Sequence, residues 1–347
     1  MTAPARTTPT DPPTDPPTGP RTGAPTTTRS TPARHVWVDC DTGFDDFLAL
    51  PVIAATPGVV VDGISTVVGN TSLAQVTANT LACVEGFGID VPVHAGAARP
   101  LAQEPQTIEG LLGAAGMGTT GRHVPAARHR TAAEGHAVTA LVARLRAAED
   151  GEVTLVATGP TTNLALAVLL APDVVAKVRE VVVMGGSTDR GNHTAAAEFN
   201  VHADPEALHV LVSSGLPLRM FGLNLTRQVL VGTAERDRLR AVGGDLAEAV
   251  ADHLDFYLRI RTPDASEPMP LHDPSAVGYL AWPELYELVD ARLDVELHGS
   301  RTRGQTVYEL RVPRRAEANV RVAVRADGPE ITRRAFDRIV AGLQAAI

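Results

Sequence analysis

Apolar residues fall along this chain in two alternating kinds of run, and the alternation predicts the fold class. Short runs rich in β-branched residues, at His35–Asp39, Val59–Val68, Val91–Ala95, Val153–Ala157, Glu180–Met184 and Leu218–Phe221, predict strands. Between and after them, Phe47–Ala55, Ser72–Phe87, Glu134–Ala148, Asn163–Leu170, Asp204–Ser213, Leu246–Arg259 and Asp273–Leu280 predict helices. Two late strands are expected near Leu293–Leu297 and Thr306–Leu310, and a helix from Arg333 closes the chain. Strands alternating with helices predict an α/β fold: a mostly parallel central sheet flanked by helices on both faces, a Rossmann-like open sheet. Two places depart from regularity. Pro51 lies inside the first helix and is expected to kink or shorten it. The stretch from Arg99 to about Thr131 lacks periodicity and predicts a long surface loop, a length that in compact domains is often functional.

Residues 1–33 are dominated by Pro, Thr, Arg, Gly and Asp and have no apolar segment, which predicts a disordered tail. No linker composition follows, so residues 34–347 are expected to form one catalytic domain. Hydrophobic residues make up 44% of the chain and aromatics 4%, so the core must be filled by aliphatic side chains. A formal net charge of -9 repels phosphate backbones and makes nucleic acid an unsuitable partner. There is no run of roughly 18 apolar residues, so no membrane helix is expected. Two cysteines, Cys40 and Cys83, are too few for a disulfide framework and suit a reducing, cytoplasmic compartment.

Polar residues recur just past the predicted strands. Asp39, Asp41, Asp45 and Asp46 follow the first, Asn70 the second, and Thr158 the strand ending at Ala157. Asn192, Glu198 and Asn200 lie beyond Met184, and Asn224 follows Phe221. In open α/β sheets ligands bind at the carboxyl ends of strands, so one site can collect residues far apart in sequence. Asp at a strand end or helix start is commonly only a cap. Four carboxylates in the eight residues Asp39–Asp46 exceed what capping needs, and their mutual repulsion would be relieved by a cation. All-oxygen ligation favours calcium or magnesium.

At these residues a family resemblance emerges. Asp39-Cys40-Asp41-Thr42-Gly43-Phe44-Asp45-Asp46 resembles the signature of the inosine–uridine-preferring nucleoside hydrolases. Further matching segments are Thr66–Asn70, Ala157–Asn163, Val182–Gly186, Ala197–Asn200 and His272-Asp273-Pro274, in the family's order. The resemblance runs from about Arg34 to the C-terminus. It implies the nucleoside hydrolase fold, a small-molecule ribonucleoside as substrate, a Ca2+ cofactor, and a homo-oligomer, dimer or tetramer.

By the same resemblance, Asp41, Asp46, the Thr158 carbonyl and Asp273 are similar to calcium ligands, and Asp41 to the general base. Asp45, Asn192, Glu198 and Asn200 resemble ribose-hydroxyl binders, with Asn70 and Asp273 supporting the substrate and Asp39 the loop. Met184 and Phe199 would pack near the sugar, Tyr257 would reach the base, and His272 sits where a leaving-group acid is found. The residue types suit the reaction. Breaking an N-glycosidic bond passes through an oxocarbenium-like sugar, which carboxylates and amides stabilise electrostatically. Calcium takes about six to eight oxygens, enough for protein ligands, water and two hydroxyls, and it acidifies its water. An imidazole titrates near neutrality, as an acid for the departing base must.

Departures from the pattern touch the base end. Leu112 stands where many members carry a His, which implies apolar contact instead, and Arg261–Pro270 follows the family poorly. Thr42 replaces a frequent Pro. Two other readings compete with this one. A magnesium-dependent phosphohydrolase of haloacid-dehalogenase type would share Asp39-x-Asp41-Thr42, but Gly43 stands where that motif needs Thr or Val, and the only lysine, Lys177, is not followed by an acidic pair. A nucleoside-binding protein without catalysis would not need Asp41, Asp45, Asp46, Asn200 and Asp273 all intact.

Overall fold

The structure, a computed structural model, describes residues 33–312 and 316–347 together with Thr2. Apart from Thr2 and Ala33, the expected tail of residues 1–33 lies outside the described residues. In chain order the strands are β1 (Arg34–Cys40), β2 (Val59–Thr66), β3 (Val93–Ala95), β4 (Val153–Ala157), β5 (Val178–Met184) and β6 (Leu218–Phe221). They are followed by β7 (Leu230–Val231), β8 (Met269–Pro270), β9 (Tyr286–Val295), β10 (Thr306–Glu309) and β11 (Val320–Ala326). Nine of them form one sheet, in the order β10-β9-β11-β6-β5-β4-β1-β2-β3, and β7 pairs only with β8. From β11 through β6 to β3 every pairing is parallel; β9 and β10 add an antiparallel edge. This is the α/β open sheet the sequence predicts.

Both faces of the sheet are buried, which is why its strands read as continuous apolar runs. Val36, Val38 and Cys40 of β1, Val156 of β4 and Val182 and Met184 of β5 belong to one core. Trp37, Leu155, Ala157, Val181 and Val183 face the other. Helices cover each face: Phe44–Ala54 and Gly328–Ala345 pack on the first, Ala137–Arg146, Thr162–Leu170 and Pro205–Ser213 on the second.

Several boundaries differ from expectation. The first helix passes straight through Pro51 and ends three residues later, at Ala54. Proline lacks the N–H that would bond the Phe47 carbonyl, and the Cys83 thiol donates to that carbonyl instead, at 3.4 Å. The late strand expected at Leu293–Leu297 is the longer Tyr286–Val295. Strand β11 was not expected, although Val320, Val322 and Val324 recur at every second position, with Ala323 breaking the polar alternation. The unexpected helix Thr233–Val242 buries only Leu239, too little apolar surface to leave a periodic signal.

The loop after β3 holds one short helix, Glu109–Leu112. Elsewhere it is pinned. Asn79 donates to the Ala115 carbonyl at 2.8 Å, the Arg122 amide to Asp252 at 2.8 Å, and the Glu85 carboxylate accepts the amides of Arg128, His129 and Arg130.

Candidate active site

The sheet order reverses at β1: β2 and β3 lie on one side, β4, β5 and β6 on the other. That reversal opens a crevice beyond the carboxyl ends of β1 and β4. Asp41 follows β1 by one residue and Thr158 follows β4 by one. A cavity of about 440 Å3 lies there, lined in part by Asp41, Asp45, Asn70, Thr158 and Asp273. Ile108, Leu111, Leu112, Ile260 and Met269 give it an apolar part of its wall.

Asp41 is held tightly. Its Oδ2 accepts the Asn70 amide at 2.8 Å, and Asn70 Nδ2 donates to the Asp41 carbonyl at 3.1 Å. The loops after β2 and β4 close on it from both sides. A Cβ at Gly69 would lie 2.1 Å from Asp41 Oδ2, and one at Gly159 2.8 Å from Oδ1. Only glycine lets the backbone come so near. Asp46 caps the first helix, accepting the Gly43 amide at 3.1 Å through Oδ2, while Oδ1 accepts the Thr158 hydroxyl at 2.6 Å. Asp273 enters from the start of the helix His272–Ala281.

Oxygens of Asp45, Asp46 and Asp273 all lie within 4.8 Å of one another. Asp45 thus joins the acidic group directly, beyond the sugar contact expected of it, and Asp41 sits beside this trio. Among the described residues no arginine or lysine forms an ion pair with any of the four. Burial and the neighbouring charge of Asp46 push the Asp41 carboxyl well above the usual range. Burial and the charges of Asp45, Asp46 and Asp41 do the same to Asp273, and burial with Asp45 raises Asp46 to about 7. Packed, desolvated carboxylates without a counterion must hold protons or a cation. The oxygen-only donor set fits a hard divalent ion.

The sugar-facing residues expected from the sequence gather around this group. Glu198 caps the helix Phe199–Ala203, accepting the amides of Gly186, Asn200 and Val201; burial raises its carboxyl to about 7. Asn200 ties two strand ends together, donating to the Thr158 carbonyl at 2.7 Å and to the Met184 carbonyl at 3.1 Å. Asn192 Oδ1 accepts the Phe199 amide at 3.0 Å, and Asn192, Met184 and Phe199 all line the cavity. His272 and Tyr257 also line the cavity, within reach of the charge of Asp45. The Tyr257 hydroxyl donates to the Pro270 carbonyl at 2.7 Å, so the tyrosine presents its ring rather than its hydroxyl. His272 Nδ1 lies 2.8 Å from Thr226 Oγ1. Burial holds its pKa below the usual histidine value, Asp45 opposing and Arg227 reinforcing the shift.

Three polar residues singled out in the sequence, Asp46, Asp39 and Asn224, are not on the cavity wall; Asp46 lies beside the wall residues Asp45 and Asp273. Asp39 is fully buried and accepts from Ser65 and Asn163, a brace between β1, β2 and the helix after β4. Strand β1 ends at Cys40, so Asp39 belongs to the strand and Asp41 to the loop beyond it. Asn224 accepts the Thr188 amide and donates to the Ala323 carbonyl, a structural link. Conversely Ile108, Thr226, Arg190 and Arg227 were missed. Each is an ordinary residue of a loop or a short helix, and no local pattern marks it.

The sequence profile of the inosine-uridine preferring nucleoside hydrolases matches residues 36–333. An inosine-uridine preferring nucleoside hydrolase of Leishmania major is 38% identical over 296 residues, 85% of this chain and 93% of that protein. A pyrimidine-specific ribonucleoside hydrolase of Enterobacter sp. is 35% identical, over 78% of this chain and 87% of its own length. The solved structure of a purine-preferring ribonucleoside hydrolase from Gardnerella vaginalis superposes with a TM-score of 0.82 at 28% identity, covering 90% of this chain and all (100%) of that one. The chain is an N-glycosidase and belongs to the family of inosine-uridine preferring nucleoside hydrolases.

Proposed function

We propose that this enzyme hydrolyses ribonucleosides to ribose and free base with the help of a calcium ion. The observation that carries the proposal is the group Asp41, Asp45, Asp46 and Asp273, buried or half-buried without a basic partner among the described residues, three of whose members line a cavity that also has apolar walls. Asp41, Asp46, Asp273 and the Thr158 carbonyl would hold the ion. When bound, it would supply Lewis acidity that lowers the pKa of a neighbouring water. Asp41, fixed by Asn70 and the two glycine loops, takes the proton as that water attacks the anomeric carbon. Asp45, Asn192, Glu198 and Asn200 hold the ribose hydroxyls, and their charge and dipoles favour the oxocarbenium-like sugar. Ile108, Leu111 and Leu112 exclude water over the base. With Thr226 donating to Nδ1, His272 presents an Nε2–H to the departing base. The family assignment favours neither the phosphohydrolase nor the inactive-binder alternative. Homo-oligomerisation belongs to the same proposal; the edge strand β10 supports it, leaving Val307 and nearby Leu310 exposed.

Base release measured over matched ribo- and 2′-deoxyribonucleosides tests this reading. Ribonucleosides are expected to be cleaved at least about a hundredfold faster in kcat/KM, because deoxysugars leave buried polar groups unpaired. Equal cleavage of both series would refute the sugar contacts. For His272→Ala, turnover of natural nucleosides is expected to fall about a hundredfold, while p-nitrophenyl riboside, whose leaving group needs no acid, loses little. Equal losses on the two substrates would remove His272 from the leaving-group role.

A further inference from the structure

A second cavity of about 390 Å3 adjoins the nucleoside cavity and shares Arg190, Arg227, Arg261 and Pro270 with it. Arg227 is fixed in place. It donates to Asp189 at 2.8 Å and to the carbonyls of Arg190 and Gly191, each at 3.1 Å. Arg261 pairs with Glu267 at 2.7 Å. Arg190 is exposed, and among the described residues its guanidinium has no carboxylate partner. Three guanidinium groups against Asp189 and Glu267 leave this annex positive, in a chain whose net charge is -9. A neutral base can accept from a guanidinium through a ring nitrogen or a carbonyl oxygen, but it brings no charge to balance the annex. A planar guanidinium fork pairs best with a carboxylate or a phosphate.

We infer that the annex receives an anionic substituent carried by the nucleoside, with Arg190 as the residue that discriminates it from its neutral counterpart. The inference rests on the nucleoside reading of the main cavity. Two sources supply the same chemistry. His272, at the leaving-group end, shares the main cavity with all three arginines, which suits a carboxylate on the base; Arg190 lies two residues from Asn192, a proposed sugar contact, which suits a phosphate on the 5′-oxygen.

Competition against p-nitrophenyl riboside hydrolysis by the full chain separates the cases without depending on base preference in the reporter. The competitor pairs are uridine with orotidine, uridine with its 5′-monophosphate, and inosine with its 5′-monophosphate. At least one anionic member is expected to compete about tenfold better than its neutral partner, the size of one charge-assisted hydrogen bond. That ratio should fall towards one in Arg190→Ala and recover in part in Arg190→Lys, which restores charge without the fork. An advantage for orotidine alone assigns the annex to the base, and one for the monophosphates alone to the 5′ end. No advantage in any pair, or a ratio unmoved by Arg190→Ala, overturns the inference while leaving the hydrolase intact. No hydrolysis of the reporter overturns the nucleoside reading and this inference with it.

Discussion

Replacing Asp41 by alanine is expected to lower kcat/KM by at least about a thousandfold with the fold intact. The variant loses both the group that accepts the water's proton and one oxygen ligand, and general-base loss alone costs about a hundred- to ten-thousandfold. Folding should suffer little. The Asp41 carboxyl is buried with Asp46 close by and no basic partner, so its removal relieves repulsion while leaving the Asn70 amide short of one acceptor. Melting of the metal-free protein should shift by no more than a few degrees. Asp41→Asn sharpens the test, since it can still accept from Asn70 but cannot take a proton. Near wild-type turnover in either variant would end Asp41's role as base.

Removing calcium is expected to abolish turnover, and adding it back to restore it. A stability readout accompanies the activity. The Asp46 carboxyl is raised from 3.8 to about 7, so between those values the folded metal-free protein binds more protons than the unfolded chain. Stability of that form must therefore fall as pH rises through the window, the reverse of an ordinary salt-bridged aspartate. Bound calcium neutralises the same carboxylates and should flatten the slope. It should also raise the melting temperature at pH 7, by an amount set by concentration over affinity. Full activity after exhaustive chelation, or pH profiles of melting that coincide with and without calcium, would rule the ion out of both roles.

How much of this could be read from the chain depends on how far each residue's role is local. The parallel strands were legible because burial on both faces makes them continuous apolar runs, as in Glu180–Met184. The acidic loop was legible because Asp41, Asp45 and Asp46 lie within six residues of one another. Asp273 was placed only through the family likeness, since nothing near it in sequence announces a partner in the loop after β1. β11 shows the limit of order along the chain. It lies between β9 and β6, beside a strand more than a hundred residues earlier, and pairing of that kind is fixed by tertiary packing. Arg190 and Arg227 acquire meaning only when two loops meet, and Thr226 only because His272 comes to rest 2.8 Å away.

The acidic and the apolar parts of the cavity wall are built from different material. The acidic part hangs on strand termini and a helix start rooted in the core, where Gly69 and Gly159 admit no added atom. The apolar part is borrowed from a four-residue helical turn, Glu109–Leu112, in which no residue is buried, and from the stretch around Ile260 and Met269. Substitutions of the acidic side chains strike catalysis; substitutions in the apolar part are expected to cost little in catalysis or in folding. Drift can thus rewrite which base is accepted while the sugar chemistry stays put, and a laboratory seeking a new base preference should randomise Ile108, Leu111, Leu112, Ile260 and Met269 first.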